Sequence, residues 1–376
     1  MKPAVREMQA RANKAHALVA AVSYSTRYDK RRWNPSDGSA SGGCSPSKIL
    51  QLWKANVLPH YLLNLRYIHC ADLVSSLQTS LTKSLESSLH VYGEKTAILI
   101  ETGIPPLYLT QHVQMAQFRY RLQSGTHNTI PHALWSFWES RLDLLPPTSM
   151  DRRMRGSARY TDPDRLLPGS RMPPNVSNAL VANREKSYKR HLEARVTKLW
   201  LHSLRTSLKV STAVDPPSRH ATYLRLHLGD LSKRTSVYKP AHYLKHNHPA
   251  QLDLLRLRVQ AWYKTIPCHQ YFPMGKDRPR EEYQRRWCPK CLPAQQTGDE
   301  IHMILECPST NPVWLKYVDK FKAQARLLDL PPFVRMKPQD QLSFALGNPP
   351  PSLLKKHYTA WIGSTIPVCS AFAGEL

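Results

Sequence analysis

Acidic residues are scarce in this chain. Against 53 Lys and Arg, its 376 residues hold only 27 Asp and Glu, leaving a formal net charge of +26 and a pI near 9.9. An excess of that size points to a polyanionic partner, usually nucleic acid; the bland alternative is charge that serves solubility alone. Long apolar runs are missing too. No stretch reaches the ~18 apolar residues of a transmembrane helix, so no membrane partner is expected. Nor is there a disulfide framework. The 7 cysteines are odd in number and scattered apart from one cluster, which favours a reducing intracellular setting, nuclear or cytoplasmic. The N-terminal stretch, with Arg6, Arg11, Lys14 and Arg27 against Glu7 and Asp29, lacks a cleavage signal. It reads as a basic amphipathic helix rather than an organelle transit peptide.

What the chain does have is a dense run of metal-ligand residue types. Arg285-Arg286-Trp287-Cys288-Pro289-Lys290-Cys291 leads through Asp299-Glu300-Ile301-His302 to Leu305-Glu306-Cys307-Pro308. Two residues separate Cys288 from Cys291, ten separate Cys291 from His302, and four separate His302 from Cys307. Three potential thiolates and one imidazole make a complete tetrahedral zinc set. The short first spacing lets both sulfurs turn toward one ion, and the last lies in the range that brings a helix-borne pair together. Residues 300–307 read as a short helix packed on the knuckle. Zinc with four protein ligands is expected to be structural, because a catalytic site usually keeps three and an open position. A zinc hydrolase with Glu300 as base, or a protein-interaction adaptor on the same knuckle, are the alternative functions. Arg285, Arg286 and Lys290 beside the knuckle are candidate nucleic-acid contacts. His242, His246, His248, Cys268 and His269 stand nearby, but four well-spaced ligands leave no need for another.

Along the chain, helical patterns dominate. Val5, Met8, Ala12, Ala15 and Val19 recur near helical spacing, and Ser36 to Ser47 reads as a glycine-bearing loop. Pro59 should split the apolar block from Ile49 to Leu65 into two short helices. Leu73, Leu77, Leu81, Leu85 and Leu89 form one leucine stripe with Ser and Thr between, a core-packing pattern and too short for a zipper. Gly103-Ile104-Pro105-Pro106 breaks the helix before it from helical patterns near 113–122 and 134–142. Residues 146–180 turn rich in Pro and Arg and read as a linker, with Arg152, Arg153 and Arg155 as candidate phosphate contacts. Arg184 to Val210 is a long helix candidate whose Tyr188, Leu192, Val196, Leu199 and Leu208 can share an apolar side. Lys189, Arg190 and Lys198 on the rest are further candidate contacts. The segments 223–230 and 254–259 alternate apolar and polar residues, and periodicity cannot decide between strand and helix edge. Helices are expected again over 313–325 and 353–362, separated by Pro-rich loops. The expected fold is mainly α: helical bundle segments joined by Pro/Arg-rich linkers, with a small C-terminal zinc-knuckle module. The expected segments are 1–48, 49–145, 146–180, 181–265, 266–325 and 326–376.

Leu254-Leu255-Arg256-Leu257-Arg258, then Arg286-Trp287-Cys288-Pro289-Lys290-Cys291, then Asp299-Glu300-Ile301-His302-Met303-Ile304-Leu305-Glu306-Cys307-Pro308 with Val313-Trp314 behind, resembles the zinc-binding segment at the C-terminal end of reverse transcriptases of non-LTR retrotransposons. Upstream, Leu52-Trp53-Lys54, the leucine stripe and Glu101-Thr102-Gly103-Ile104-Pro105-Pro106-Leu107 are similar to the thumb of those polymerases and the segment behind it. The resemblance implies that 1–48 is the end of a palm-like region, 49–145 a helical thumb-like domain and 266–325 the zinc-binding domain. It implies template RNA or target DNA as partner. The family's palm carries an adjacent aspartate pair for its metal ions, and no Asp-Asp pair occurs here. The expectation is therefore the C-terminal part of an element's polyprotein, with no catalytic residues of its own.

Overall fold

The computed structural model describes residues 2–25, 45–63, 65, 68, 71–124, 178–211, 223–227, 238–245, 250–259, 291 and 301–376. Helices dominate these residues, and no strand occurs among them. Helix α1 (Lys2–Ser25) buries Val5, Met8, Ala12, Ala15 and Val19, the stripe its spacing predicts, against α2 (Pro46–Asn56), α3 (Leu58–Leu62) and α4 (Ala71–Leu89). Ser45 caps α2 by accepting from the Lys48 amide at 3.4 Å, and Pro46 opens it where no amide donor is needed. The split expected at Pro59 falls at Val57, just before α3.

Leu77, Leu81, Leu85 and Leu89 of α4 are buried to within 1%, while Leu73 is half-buried. The serines between them are more than a solvated face. Ser84 and Ser88 are buried, and Ser84 Oγ accepts the indole N–H of the fully buried Trp53 at 3.0 Å. An indole donor taken from water needs such a partner. The Tyr61 hydroxyl lies 3.0 Å from Ser80 Oγ in the same way.

Helix α5 (Lys95–Thr102) starts at Glu94, whose carboxylate accepts from the Ala97 amide, and ends at Gly103 with φ +66°. That left-handed turn favours glycine. A Cβ on Gly103 would also sit 2.3 Å from the Lys239 carbonyl carbon and 2.5 Å from Pro240 N. Gly103→Ala is therefore expected to cost about 2–5 kcal/mol from the turn strain and the backbone clash together, read as a fall in the urea midpoint at unchanged slope. Helix α6 (Leu107–Ser124) pairs with α7 (Asn178–Ser211) through Ala116, Tyr120, Tyr188 and Leu192. The two tyrosine rings stack 4.3 Å apart. Farther along α7 the buried residues are Trp200, Leu201 and Leu204, while Leu199 and Leu208 are half-buried.

The segments left open between strand and helix are helical: 223–227, and α8 (Gln251–Arg258). Helix α9 (Asn311–Leu327) falls where expected. Two later elements differ from the sequence reading. Helix α10 (Pro338–Ala345) occupies part of the Pro-rich stretch read as loop, again with proline in its first turn. The last long helix is α11 (Ile366–Glu375), later than the expected 353–362, where only short turns of helix occur. Trp314, Tyr317, Phe321, Phe333, Phe344, Trp361 and Phe372 make a chain of tilted and edge-to-face ring contacts at 4.9–6.3 Å, the geometry ring quadrupoles prefer. Lys316 and the Tyr317 hydroxyl of α9 both donate to Glu375 of α11, each at 2.6 Å.

At the centre lies a buried polar network. Arg258 Nη2 donates to Glu101 Oε1 at 3.0 Å, with side chains 1% and 0% exposed. Arg258 Nη1 donates to the Leu346 carbonyl at 2.6 Å and to Asn348 Oδ1 at 2.8 Å. Tyr223 donates to Glu101 Oε1 at 2.6 Å, and His227 Nδ1 lies 3.0 Å from Asn348 Oδ1. These groups join α5, the 223–227 turn, α8 and the residues after α10. The adjacent Cys369 thiol donates to the Phe344 carbonyl at 3.3 Å. Burial pushes that thiol up to about 12, so it stays protonated.

Candidate metal centre

Cys291, His302 and Cys307 converge in one buried group. Their ligand atoms all lie within 4.8 Å of one another, and the residues are 9%, 4% and 0% exposed. Local backbone geometry explains the second half of the group. Residues five apart on an α-helix point about 140° away from each other, which would separate His302 from Cys307. Residues His302–Glu306 instead form a π-helical turn, closed by the Cys307 amide donating to the His302 carbonyl at 2.5 Å. The wider turn brings residues five apart nearly onto one side, and such turns often mark functional sites.

Cys307 is then anchored from the other direction. Its carbonyl accepts from the Asn311 amide at 2.8 Å, the Thr310 amide at 3.0 Å and the Thr310 hydroxyl at 3.3 Å, where α9 begins. Ile304, between the two ligand residues, is buried in the same core as Trp314 of α9. The exposed Glu306 carboxylate stands 3.9 Å from His302 Nδ1, beyond hydrogen-bond length.

This donor set fits a soft, tetrahedral ion. With metal–sulfur and metal–nitrogen bonds of about 2.0–2.3 Å, tetrahedral ligand atoms lie roughly 3.3–3.8 Å apart, so ligand atoms up to 4.8 Å apart would draw in by at most about 1.0–1.5 Å on binding. The Cys-His-Cys group can therefore hold a metal ion. The expected fourth ligand, Cys288, lies outside the described residues.

The other sequence-derived candidates divide in two. Arg152, Arg153, Arg155, Arg285, Arg286 and Lys290, with Glu300, lie outside the described residues. Lys189, Arg190 and Lys198 are exposed on α7, beside exposed Lys186, Arg195 and Arg205. Lys189 lies 4.0 Å from Glu193, which is half-buried. His242 is exposed, with its ring edge-on to Tyr358 at 5.3 Å, and is not in the metal group. His246, His248, Cys268 and His269 are outside the described residues. What sequence reasoning missed is the Glu101–Arg258 pair. Each was noted only within its own motif, and nothing local links residues 157 positions apart. No helix among the described residues is long and apolar enough to cross a membrane. Compared with known proteins, the chain matches no family model, no curated protein and no solved structure.

Proposed function

We propose that this chain is a zinc-stabilised, nucleic-acid-binding segment of the kind found at the C-terminal end of non-LTR retrotransposon reverse transcriptases, and that it does not itself polymerise. The observation that carries the reading is the burial of Cys291, His302 and Cys307 within 4.8 Å of one another in a chain of net charge +26. Cys288 completes the set. When bound, zinc ties Cys288 and Cys291 to the π-turn and to α9, and thiolate ligation of this kind suits a reducing compartment. The knuckle then forms a firm base from which Arg285, Arg286 and Lys290 reach a phosphate backbone.

The second basic surface is α7. Its long exposed side carries Lys186, Lys189, Arg190, Arg195, Lys198 and Arg205, while Tyr188, Leu192, Val196 and Trp200 hold it to the rest of the chain. Exposed Lys and Arg are common on any protein; what distinguishes this set is that a single helix of 34 residues carries all six while its acidic residues are Glu185 and Glu193 alone. Replacing Lys189, Arg190 and Lys198 together by alanine should leave folding intact, because these positions are exposed. It should lower affinity for any nucleic acid sequence alike and reduce the slope of log K against log salt by about 2–3. Fluorescence anisotropy across a salt series checks this. An unchanged affinity and slope would remove α7 from the binding surface.

A further inference from the structure

Beside its buried apolar stripe, α1 carries a second, polar one. Gln9, Asn13 and His16, spaced four and three apart, face Ser76, Thr79, Ser80 and Ser84 of α4, with Lys83 among them, across an open cleft of about 580 Å³. That volume falls within the range of ordinary ligand sites. Two helices packed this closely normally close such a gap with aliphatic side chains. Here small hydroxyls line it, and Gln9 Nε2 donates to Ser76 Oγ across it in a long, exposed bond of 3.4 Å that a ligand can displace.

The floor of the cleft is fixed from below. Ser84 Oγ accepts the Trp53 indole N–H at 3.0 Å, and Ser80 Oγ pairs with the Tyr61 hydroxyl at 3.0 Å. Either hydroxyl of the Tyr61–Ser80 pair can be the donor; when Tyr61 donates, Ser80 has its own O–H to turn into the cleft. On the facing wall, His16 Nε2 is buried and has no hydrogen-bond partner among the described residues. Burial holds this imidazole below its ordinary pKa, so near neutral pH it offers hydrogen bonds rather than charge. Among the described residues Lys83 is the one cation of the lining, and it is exposed. Among the described residues no carboxylate lines the cleft; Asp72 stands one turn before Ser76. Neutral donors and acceptors thus outnumber charge, which suits a hydroxyl-bearing ligand with a single anionic group attached.

We infer that this cleft receives one sugar-phosphate unit of single-stranded RNA, its amides and hydroxyls engaging the ribose 2′-OH and Lys83 the adjoining phosphate. The inference rests on the nucleic-acid reading above and adds to it a preference and a place. The 2′-OH, both donor and acceptor, is the group by which a protein tells RNA from DNA, and this lining matches it on both counts. Lys83 contributes as a point charge to the backbone.

The test compares matched RNA and DNA single strands of about 12 nucleotides, within the usual site sizes, on the full chain at about 150 mM salt. RNA should bind about two- to tenfold more tightly, the worth of one net hydrogen bond. Asn13→Ala combined with Ser76→Ala, both exposed positions, should bring the RNA affinity down to the DNA value and leave the DNA affinity unchanged. Bound RNA should also slow acylation of Lys83 several-fold relative to exposed Lys337. Equal affinities in the unaltered chain, a preference that survives the double substitution, or an unprotected Lys83 under saturating RNA would each overturn the cleft assignment while the general reading stands. Failure of both strands to bind would overturn the nucleic-acid reading, and the cleft assignment with it.

Discussion

Arg258→Ala should destabilise the chain by about 3–5 kcal/mol, the usual consequence of removing one partner of a buried ion pair. The guanidinium is 1% exposed and the Glu101 carboxylate 0% exposed, so deleting the cation leaves a carboxylate without its charge partner in a site closed to water. Tyr223 would still donate to Glu101 Oε1, but one neutral donor does not compensate a buried charge. The loss extends further, because Arg258 Nη1 also donates to the Leu346 carbonyl and to Asn348 Oδ1. Removing it takes that donor from the Leu346 carbonyl, leaves Asn348 Oδ1 with His227 Nδ1 as its remaining partner, and loosens the link between α8 and the residues after α10. Replacing both partners together, Glu101→Leu with Arg258→Met, should cost markedly less than Arg258→Ala alone, since no unpaired charge is left behind. Urea unfolding of the three chains measures this. A single-variant loss below about 1 kcal/mol, the size of an exposed pair, would contradict the buried-network account.

The second large effect is expected at the metal centre. Metal binding by small zinc-dependent modules supplies on the order of 10 kcal/mol of folding free energy. Cys307→Ser should therefore undo the region around it. The loss should stay local. Cys307 anchors the start of α9 through its carbonyl, and Ile304 beside it packs in the core with Trp314, whereas α1 to α4 are held by their own apolar stripes and the Trp53–Ser84 and Tyr61–Ser80 bonds. Hydrogen exchange should accelerate by a hundredfold or more over residues 301–327, since a local loss of about 3 kcal/mol already has that effect. Residues 71–102 should change little. Uniform protection across both regions would show that the sulfur is not holding the module together.

How far these features could be read from the sequence depended on whether the signal was local. The leucine stripe of α4 and the apolar stripe of α1 were legible because one helix face is buried against one neighbour, so the period survives in the residues themselves. The ligand group was legible for a similar reason, since Cys291, His302 and Cys307 lie close in sequence. Its π-turn was not, because residues 300–307 carry an ordinary helical pattern and the wider closure shows only in the backbone. Helix α10 was hidden by Pro338, which reads as a loop signal yet sits in the first turn, where proline is tolerated. Helix α11 has almost no polar face. Ile366, Cys369, Phe372 and Ala373 are buried at helical spacing while the helix touches α8, α9 and α10, but Pro367, Val368 and Ala371 between them are apolar as well, so the sequence shows no polar contrast from which to read the period. The Glu101–Arg258 pair joins residues 157 positions apart. Only tertiary packing could reveal it.

The central claim is that one metal ion, held by Cys288, Cys291, His302 and Cys307, organises the C-terminal module. Elemental analysis of the chain purified without added metal or chelator tests it most directly. About one equivalent of zinc per chain is expected, the stoichiometry of a four-ligand structural site, and its loss in both Cys288→Ser and His302→Ala. A chain that carries no metal and still keeps residues 301–327 protected from exchange would contradict it.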